Sequence, residues 1–191
     1  MSNITKRLLK LTSSPKTVFT AADLAIFWET ENKNVLRVTT SRAKSAGYLQ
    51  SIQRGLYALA NTNIDLLELA GKLKKHSYIS FETVLAQSGA IFQWNNEIIS
   101  ASDNGFETEN SYGKFTYRKL PESALLDNIG IINTGNYFIA STERALCDKI
   151  YKDGLVYFDD LSEVDGKLAM EISKIYHNKR LERDIKKLFS L

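Results

Sequence analysis

The chain has one cysteine in 191 residues, Cys147, and two histidines, His76 and His177. A disulfide framework is therefore excluded, and one thiol with two imidazoles gives no zinc-ligand spacing. No run of about 18 apolar residues occurs, so no membrane-spanning helix is expected. The start, Met1-Ser2-Asn3-Ile4-Thr5-Lys6-Arg7, lacks the apolar stretch of a secretory signal, and a soluble cytoplasmic protein is expected. The phosphate-cradling patterns G-x-x-x-x-G-K and G-x-G-x-x-G are missing, as is the nucleophile pattern G-x-S-x-G. Cys147 has no histidine close in sequence to activate it, and a buried, inert thiol is expected. These absences argue against an enzyme, and they imply no cofactor and no metal. Internal repeats and low-complexity tracts are also missing.

What is present is enough for a packed core, with 43% apolar residues and 10% aromatic ones. The most informative stretch runs from Thr17 to Ala60. A short extended run stops at Thr20, a hydroxyl suited to capping a helix, and Asp23 follows in the first turn, where a carboxylate suits the helix dipole. The spacing predicts a helix from Ala21 to Glu29, with Leu24, Phe27 and Trp28 on one buried face. Thr30-Glu31-Asn32-Lys33 breaks it. A second helix from about Asn34 ends at Gly47, a residue suited to the left-handed position past a helix end. Leu36, Ala43 and Ala46 are expected inward; Asn34, Arg37, Ser41 and Lys44 or Ser45 are expected outward. Tyr48–Ile52 and Leu56–Leu59 then read as a hairpin with Arg54 at its tip. A helix-turn-helix followed at once by a hairpin is a winged helix, whose second helix fits a major groove about 12 Å wide.

Asn3–Leu11 reads as an amphipathic helix with Ile4, Leu8 and Leu11 inward, and Ile64 to about Lys75 as another. Ser80 is the expected cap of a short helix Phe81–Ser88. From Ala90 to Ala140 the periodicity turns extended, with short strands at 97–100, 105–108, 114–119, 129–132 and 136–140, and Pro121–Leu126 adds one helical turn. Helices follow at 142–152, capped by Ser141, at 161–176 and at 180–191. The expected class is α+β: an N-terminal winged helix-turn-helix over 1–75, then a mixed domain over 76–191 with a small antiparallel sheet and C-terminal helices.

Charge is distributed unevenly. Residues 1–60 carry nine Lys or Arg against three Asp or Glu, a net +6, and the remainder carries sixteen against nineteen, a net −3. A basic N-terminal third suits a domain that displaces counterions from phosphates.

Three strings, Ala46-Gly47-Tyr48-Leu49 into Arg54-Gly55-Leu56-Tyr57-Ala58-Leu59, Ser77-Tyr78-Ile79-Ser80-Phe81-Glu82, and Ser141-Thr142-Glu143-Arg144-Ala145-Leu146-Cys147-Asp148, carry a resemblance to the AbiEi-type antitoxins of type IV toxin–antitoxin (abortive infection) systems. The resemblance covers nearly the whole chain. It implies a winged helix that binds inverted repeats in its own promoter and represses the operon. It also implies a C-terminal domain that neutralises a nucleotidyltransferase-like toxin, without a stable complex between the two. Carried over by motif, the DNA-facing positions are Asn34, Arg37, Ser41, Lys44 and Arg54, and the C-terminal motif positions are Glu143, Arg144 and Asp148. The sequence departs from the family at Thr39 and Thr40, where bulkier aliphatics are usual. Helix geometry gives the C-terminal trio a plain alternative: Glu143 suits a first turn, and Arg144 and Asp148, four apart, can pair on a helix face.

Two other readings stay open. One is a stand-alone regulator whose C-terminal domain senses a partner or ligand. The other is a nuclease fused to a DNA reader, because Asp153, Asp159 or Asp160 followed by Asp165-Gly166-Lys167 resembles the acids that hold Mg²⁺ in metal-dependent nucleases. Such acids normally project from strands, whereas this stretch reads as a loop entering a helix.

Overall fold

The computed structural model describes residues 3–92 and 96–191. The chain divides into two compact units, Met1–Lys72 and Leu73–Leu191.

The first unit runs α1 (Asn3–Thr12), β1 (Phe19–Thr20), α2 (Ala21–Phe27), α3 (Lys33–Ser45), β2 (Leu49–Gln53), β3 (Leu56–Leu59) and α4 (Leu66–Leu73). Thr20 starts α2 by a reciprocal cap: its hydroxyl accepts from the Asp23 amide at 3.0 Å, and the Asp23 carboxylate accepts from the Thr20 amide at 2.9 Å. Asn32 starts α3 by accepting from the amides of Asn34 and Val35. Gly47 lies just past its end at φ +74°, in the left-handed region. β3 is the centre of a three-stranded antiparallel sheet, pairing β1 on one side (Phe19 with Tyr57) and β2 on the other (Leu49 with Leu59). Leu11, Phe19, Leu24, Trp28, Ala43 and Leu49 form the core. Removing each large apolar side chain from water contributes about 1.5–3 kcal/mol. The Trp28 indole donates to the Arg7 carbonyl at 3.2 Å, which ties α2 to α1. The side chain of Ile4, expected on the inner face of α1, lies outside the described residues. In α3 the inward stripe is Leu36, Thr40 and Ala43; Ala46 is exposed. The register therefore differs from the expected one in its last member.

The second unit contains β4 (Tyr78–Ile79), α5 (Glu82–Gln87), β5 (Glu97–Ser102), β6 (Phe106–Asn110), β7 (Gly113–Lys119), α6 (Glu122–Leu126), β8 (Ile131–Asn133), β9 (Phe138–Ala140), α7 (Thr142–Asp153), α8 (Gly166–Ser173) and α9 (Lys179–Phe189). Its sheet is not the small antiparallel one expected. It has six strands in the order β6-β7-β5-β4-β9-β8, and it is mixed: β5 pairs β7 in parallel (Ile98 with Phe115), as β4 does β9 (Ile79 with Ile139). β5 is buried on both faces, as a central strand under helices should be. Ser80 does not cap α5. That position is taken by Phe81, at φ 56° and ψ −139°, with no side-chain cap. Asp165 begins α8, so the stretch 161–165 that was expected to be helical lies outside it. Among the described residues no helix is long and apolar enough to cross a membrane.

Candidate functional site

The 33 residues from Asn32 to Ile64 contain no Asp or Glu and five cations, Lys33, Arg37, Arg42, Lys44 and Arg54. This stretch is α3, the β2–β3 hairpin and their flanks. At about 100° of rotation per residue, Asn34, Ser41 and Ser45 lie opposite the buried stripe Leu36, Thr40 and Ala43, and all three are exposed. Val38 shares that outer face, 39% exposed. Lys33, Arg37 and Lys44 occupy one flank of it and Arg42 the other. Arg54 is exposed at the hairpin turn, before Gly55 at φ +83°.

Apart from Lys6, which is exposed on α1, the cations of the same unit divide into two groups. Lys10 pairs with Glu29 at 2.6 Å, Lys16 with Asp23 at 2.5 Å, and Lys72 with Asp23 at 3.5 Å. Arg7 donates to the Thr39 hydroxyl at 2.8 Å. Among the described residues, Lys33, Arg37, Arg42, Lys44 and Arg54 form no side-chain ion pair. The paired cations thus hold side chains of the unit itself, and the α3–hairpin cations face water. Asp23 shows the strength of the first group. Burial pushes its carboxyl up, but hydrogen bonds from Lys16 and Thr20 and the charge of Lys72 outweigh it and bring the pKa to about 2.

All five positions expected to face DNA, Asn34, Arg37, Ser41, Lys44 and Arg54, are exposed. Lys33 and Arg42 were not among them. Lys33 is the first helical residue rather than part of a breaking turn, because Asn32 is the cap. Arg42 lies on the opposite flank.

The C-terminal trio is placed very differently. Arg144 and Asp148 are completely buried, 3.6 Å apart, and present no surface to a partner. Tyr78 relays between them: its hydroxyl accepts from Arg144 Nε at 3.2 Å and Nη2 at 3.0 Å and donates to Asp148 Oδ1 at 3.2 Å. Asp148 also accepts from Ser80 at 2.5 Å and from the Tyr176 hydroxyl. The remaining guanidinium donors reach the carbonyls of Ala124, Ile129 (3.0 Å) and Asp127 (3.4 Å). They satisfy chain ends around α6 that would otherwise be orphaned. Burial raises the Asp148 carboxyl pKa against the pull of Arg144 and three hydroxyls, and it pushes the Tyr78 and Tyr176 hydroxyls well up. Arg144 and Asp148 are therefore scaffold, with Tyr78, Ser80 and Tyr176 as members that spacing alone did not reveal. Glu143, half-buried, accepts from the Asp165 amide at 3.3 Å. Cys147 is buried, its thiol pKa pushed well up by that burial.

The acids of the nuclease-like pattern each hold local structure. Asp153 pairs with Arg118 and with Lys149 (2.8 Å). Asp159 accepts from the Phe92 amide at 2.7 Å and Asp160 from the Ser162 amide at 2.8 Å. Asp165 caps α8 through the amides of Lys167 and Leu168. No group of three or more His, Cys, Asp or Glu that could hold a metal ion occurs among the described residues.

No family model matches the chain, and no curated protein matches it. Among solved structures, that of the RV2827C protein from Mycobacterium tuberculosis is similar, with a TM-score of 0.50 at 10% sequence identity, over 98% of this chain and 80% of that one. At that identity the likeness is one of fold.

Proposed function

We propose that the first unit is a winged helix that binds double-stranded DNA, with α3 in the major groove and the β2–β3 hairpin as the wing. The chain would then act as the antitoxin and autorepressor of a type IV toxin–antitoxin system, as its resemblance to the AbiEi type implies. One observation carries the DNA reading: the acid-free stretch 32–64 puts its five cations on a helix and the hairpin after it, exposed and without ion pairs among the described residues. Unpaired surface cations offer phosphates full charge at no cost in broken ion pairs. The polar outer face of Asn34, Ser41 and Ser45 is the kind that reads base edges, and the 13 residues of α3 span about 20 Å, enough to follow a groove.

The test is fluorescence anisotropy with a duplex carrying the inverted repeats upstream of the gene. Binding is expected to weaken by roughly 1–3 kcal/mol in Arg37→Ala. A variant that binds as wild type would overturn the assignment of α3. The antitoxin reading is tested separately, by co-expression with an adjacent nucleotidyltransferase-like gene. Rescued growth supports it, and rescue that never occurs leaves a DNA-binding regulator in its place.

A further inference from the structure

The two edges of the six-stranded sheet are finished differently. On β6, Glu107 and Glu109 stand exposed, and charge of this kind keeps an edge from pairing with another chain. On the other edge, β8 carries no charge. From Asn128 to Thr142, 15 consecutive residues include no Asp, Glu, Lys or Arg, in a chain where 25% of residues are charged. The neutrality does not follow from burial, because Ile132 is 53% exposed and Phe138 49%, with Leu126 nearby in sequence at 74%. On one face of this hairpin, Ile131 and Phe138 line a groove of about 710 Å³ together with Leu120, Leu125 and Leu126.

We propose that the β8 edge is where a second copy of the chain docks, with β8 pairing antiparallel to β8 across a two-fold axis at Ile132. A two-fold contact sets only the residues on its axis beside their own equivalents, so a charge at the axis would repel itself, and Ile132 with its neutral neighbours brings none there. The uncharged, exposed stretch around Ile132 therefore suits contact with a second copy of itself. Nucleic acid would require cations here, and a charged peptide would require the opposite sign. The backbone fits the same register. Bonds from the Thr134 amide to the Tyr137 carbonyl (3.0 Å) and from the Ser141 amide to the Gly130 carbonyl (2.7 Å) bracket the β8–β9 ladder. By antiparallel alternation the amide and carbonyl of Ile132 turn toward β9, and those of Asn133 turn to the open edge. Pairing centred on Ile132 sets the two Ile132 side chains opposite each other as a non-hydrogen-bonded pair, about 4.5–5.5 Å apart at Cβ.

The experiment is sedimentation equilibrium on the full chain without DNA, so its outcome is independent of the DNA reading. A dimer is expected at micromolar concentration. Ile132→Lys, at an exposed position, is expected to raise its dissociation constant about 100-fold or more while the circular dichroism spectrum stays unchanged. Glu107→Gln on the opposite edge is expected to leave the dimer intact. Ile132→Cys is expected to form a covalent dimer on oxidation, since Cys147 is buried. A wild-type monomer at about 100 µM would overturn the proposal. So would a dimer that survives Ile132→Lys, or one that Ile132→Cys fails to cross-link.

Discussion

Arg37 and Arg144 each stand on an amphipathic helix with a polar residue four positions on, Ser41 and Asp148, and the two units use them in opposite ways. Arg37 faces water on α3, with no ion pair among the described residues. Arg144 is fully buried and bonded to a tyrosine and three carbonyls. The difference shows that the helix carrying an arginine does not decide its role. The rest of the chain does: nothing acidic lies between residues 32 and 64 to neutralise α3, whereas Tyr78 and Tyr176 arrive from 66 and 28 residues away to enclose Arg144 and Asp148. One arginine is left available, and the other is spent on architecture.

The largest effect that would sharpen this contrast is on stability. Arg144→Met is expected to cost about 3–5 kcal/mol in urea unfolding, because it leaves Asp148 buried without its cation. Combining it with Asp148→Leu should recover much of the loss, since a buried pair replaced by apolar groups is often close to neutral. Arg37→Met should stay within about 0.5 kcal/mol of wild type. Equal costs for the two single variants would erase the distinction.

Next in size is a backbone position that depends on the same buried arginine. Gly130 sits at φ +72°, and a Cβ there would lie 2.8 Å from Arg144 Cβ and 3.0 Å from Ile172 Cδ1. Gly130→Ala therefore combines left-handed strain with overpacking, an expected loss of about 2–4 kcal/mol by thermal or urea melts. Gly55, at φ +83° in the hairpin turn, has open space around its would-be Cβ. Gly55→Ala should cost only the strain, about 1–2 kcal/mol. If the two cost the same, the packing around Arg144 is looser than the structure indicates.

The features legible in the sequence were local ones. Thr20 and Asp23 are three residues apart, so the cap of α2 follows from spacing, as does Ser141 before α7. Apolar periodicity located most of the strands and helices, and the basic bias of residues 1–60 marked the unit that carries the α3 and hairpin cations. What was illegible depended on distant partners. The phase of α3 turned on Asn32 as cap, and Thr40 rather than Ala46 faces the core because Ala46 already lies past the last helical residue. Strand directions were hidden, since β7 lies between β6 and β5 and nothing in its own residues names a parallel neighbour. β4 is two residues long and carried no periodicity, and Ser80 looked like a cap because its true partner, Asp148, is 68 residues away. The Arg144–Asp148 spacing reads equally well as a surface pair worth a few tenths of a kcal/mol.

Acid exposes a further difference between the units. In the folded protein the Asp23 pKa is about 2, below its ordinary value of 3.8, so its contribution is fully present above about pH 4 and is lost as pH falls toward 2. That amounts to roughly 2 kcal/mol. Asp148 is shifted upward, so its protonation on acidification does not add to the loss. Asp23→Asn is expected to lower stability at pH 6 and to flatten the acid limb between pH 4 and 2, measured by urea midpoints across that range. An unchanged acid limb would mean that Lys16 and Lys72 do not hold the carboxylate.

The smallest predicted effect bears most directly on the proposed contact with DNA. A cation that meets a phosphate releases about one counterion, and neutralising it lowers the salt dependence of binding by about one unit of slope, with a modest loss of affinity that is the same for every sequence. Arg54, at the hairpin turn, should behave this way: Arg54→Gln is expected to reduce the slope of log K against log salt by about one and to leave the preference for the inverted repeat intact. Lys186, exposed on α9 in the second unit, is a matched cation outside the acid-free stretch. Lys186→Gln should leave the slope unchanged. If it lowers the slope as Arg54→Gln does, basic surface on the second unit also meets phosphate, and the placing of the phosphate contacts on the acid-free stretch no longer holds.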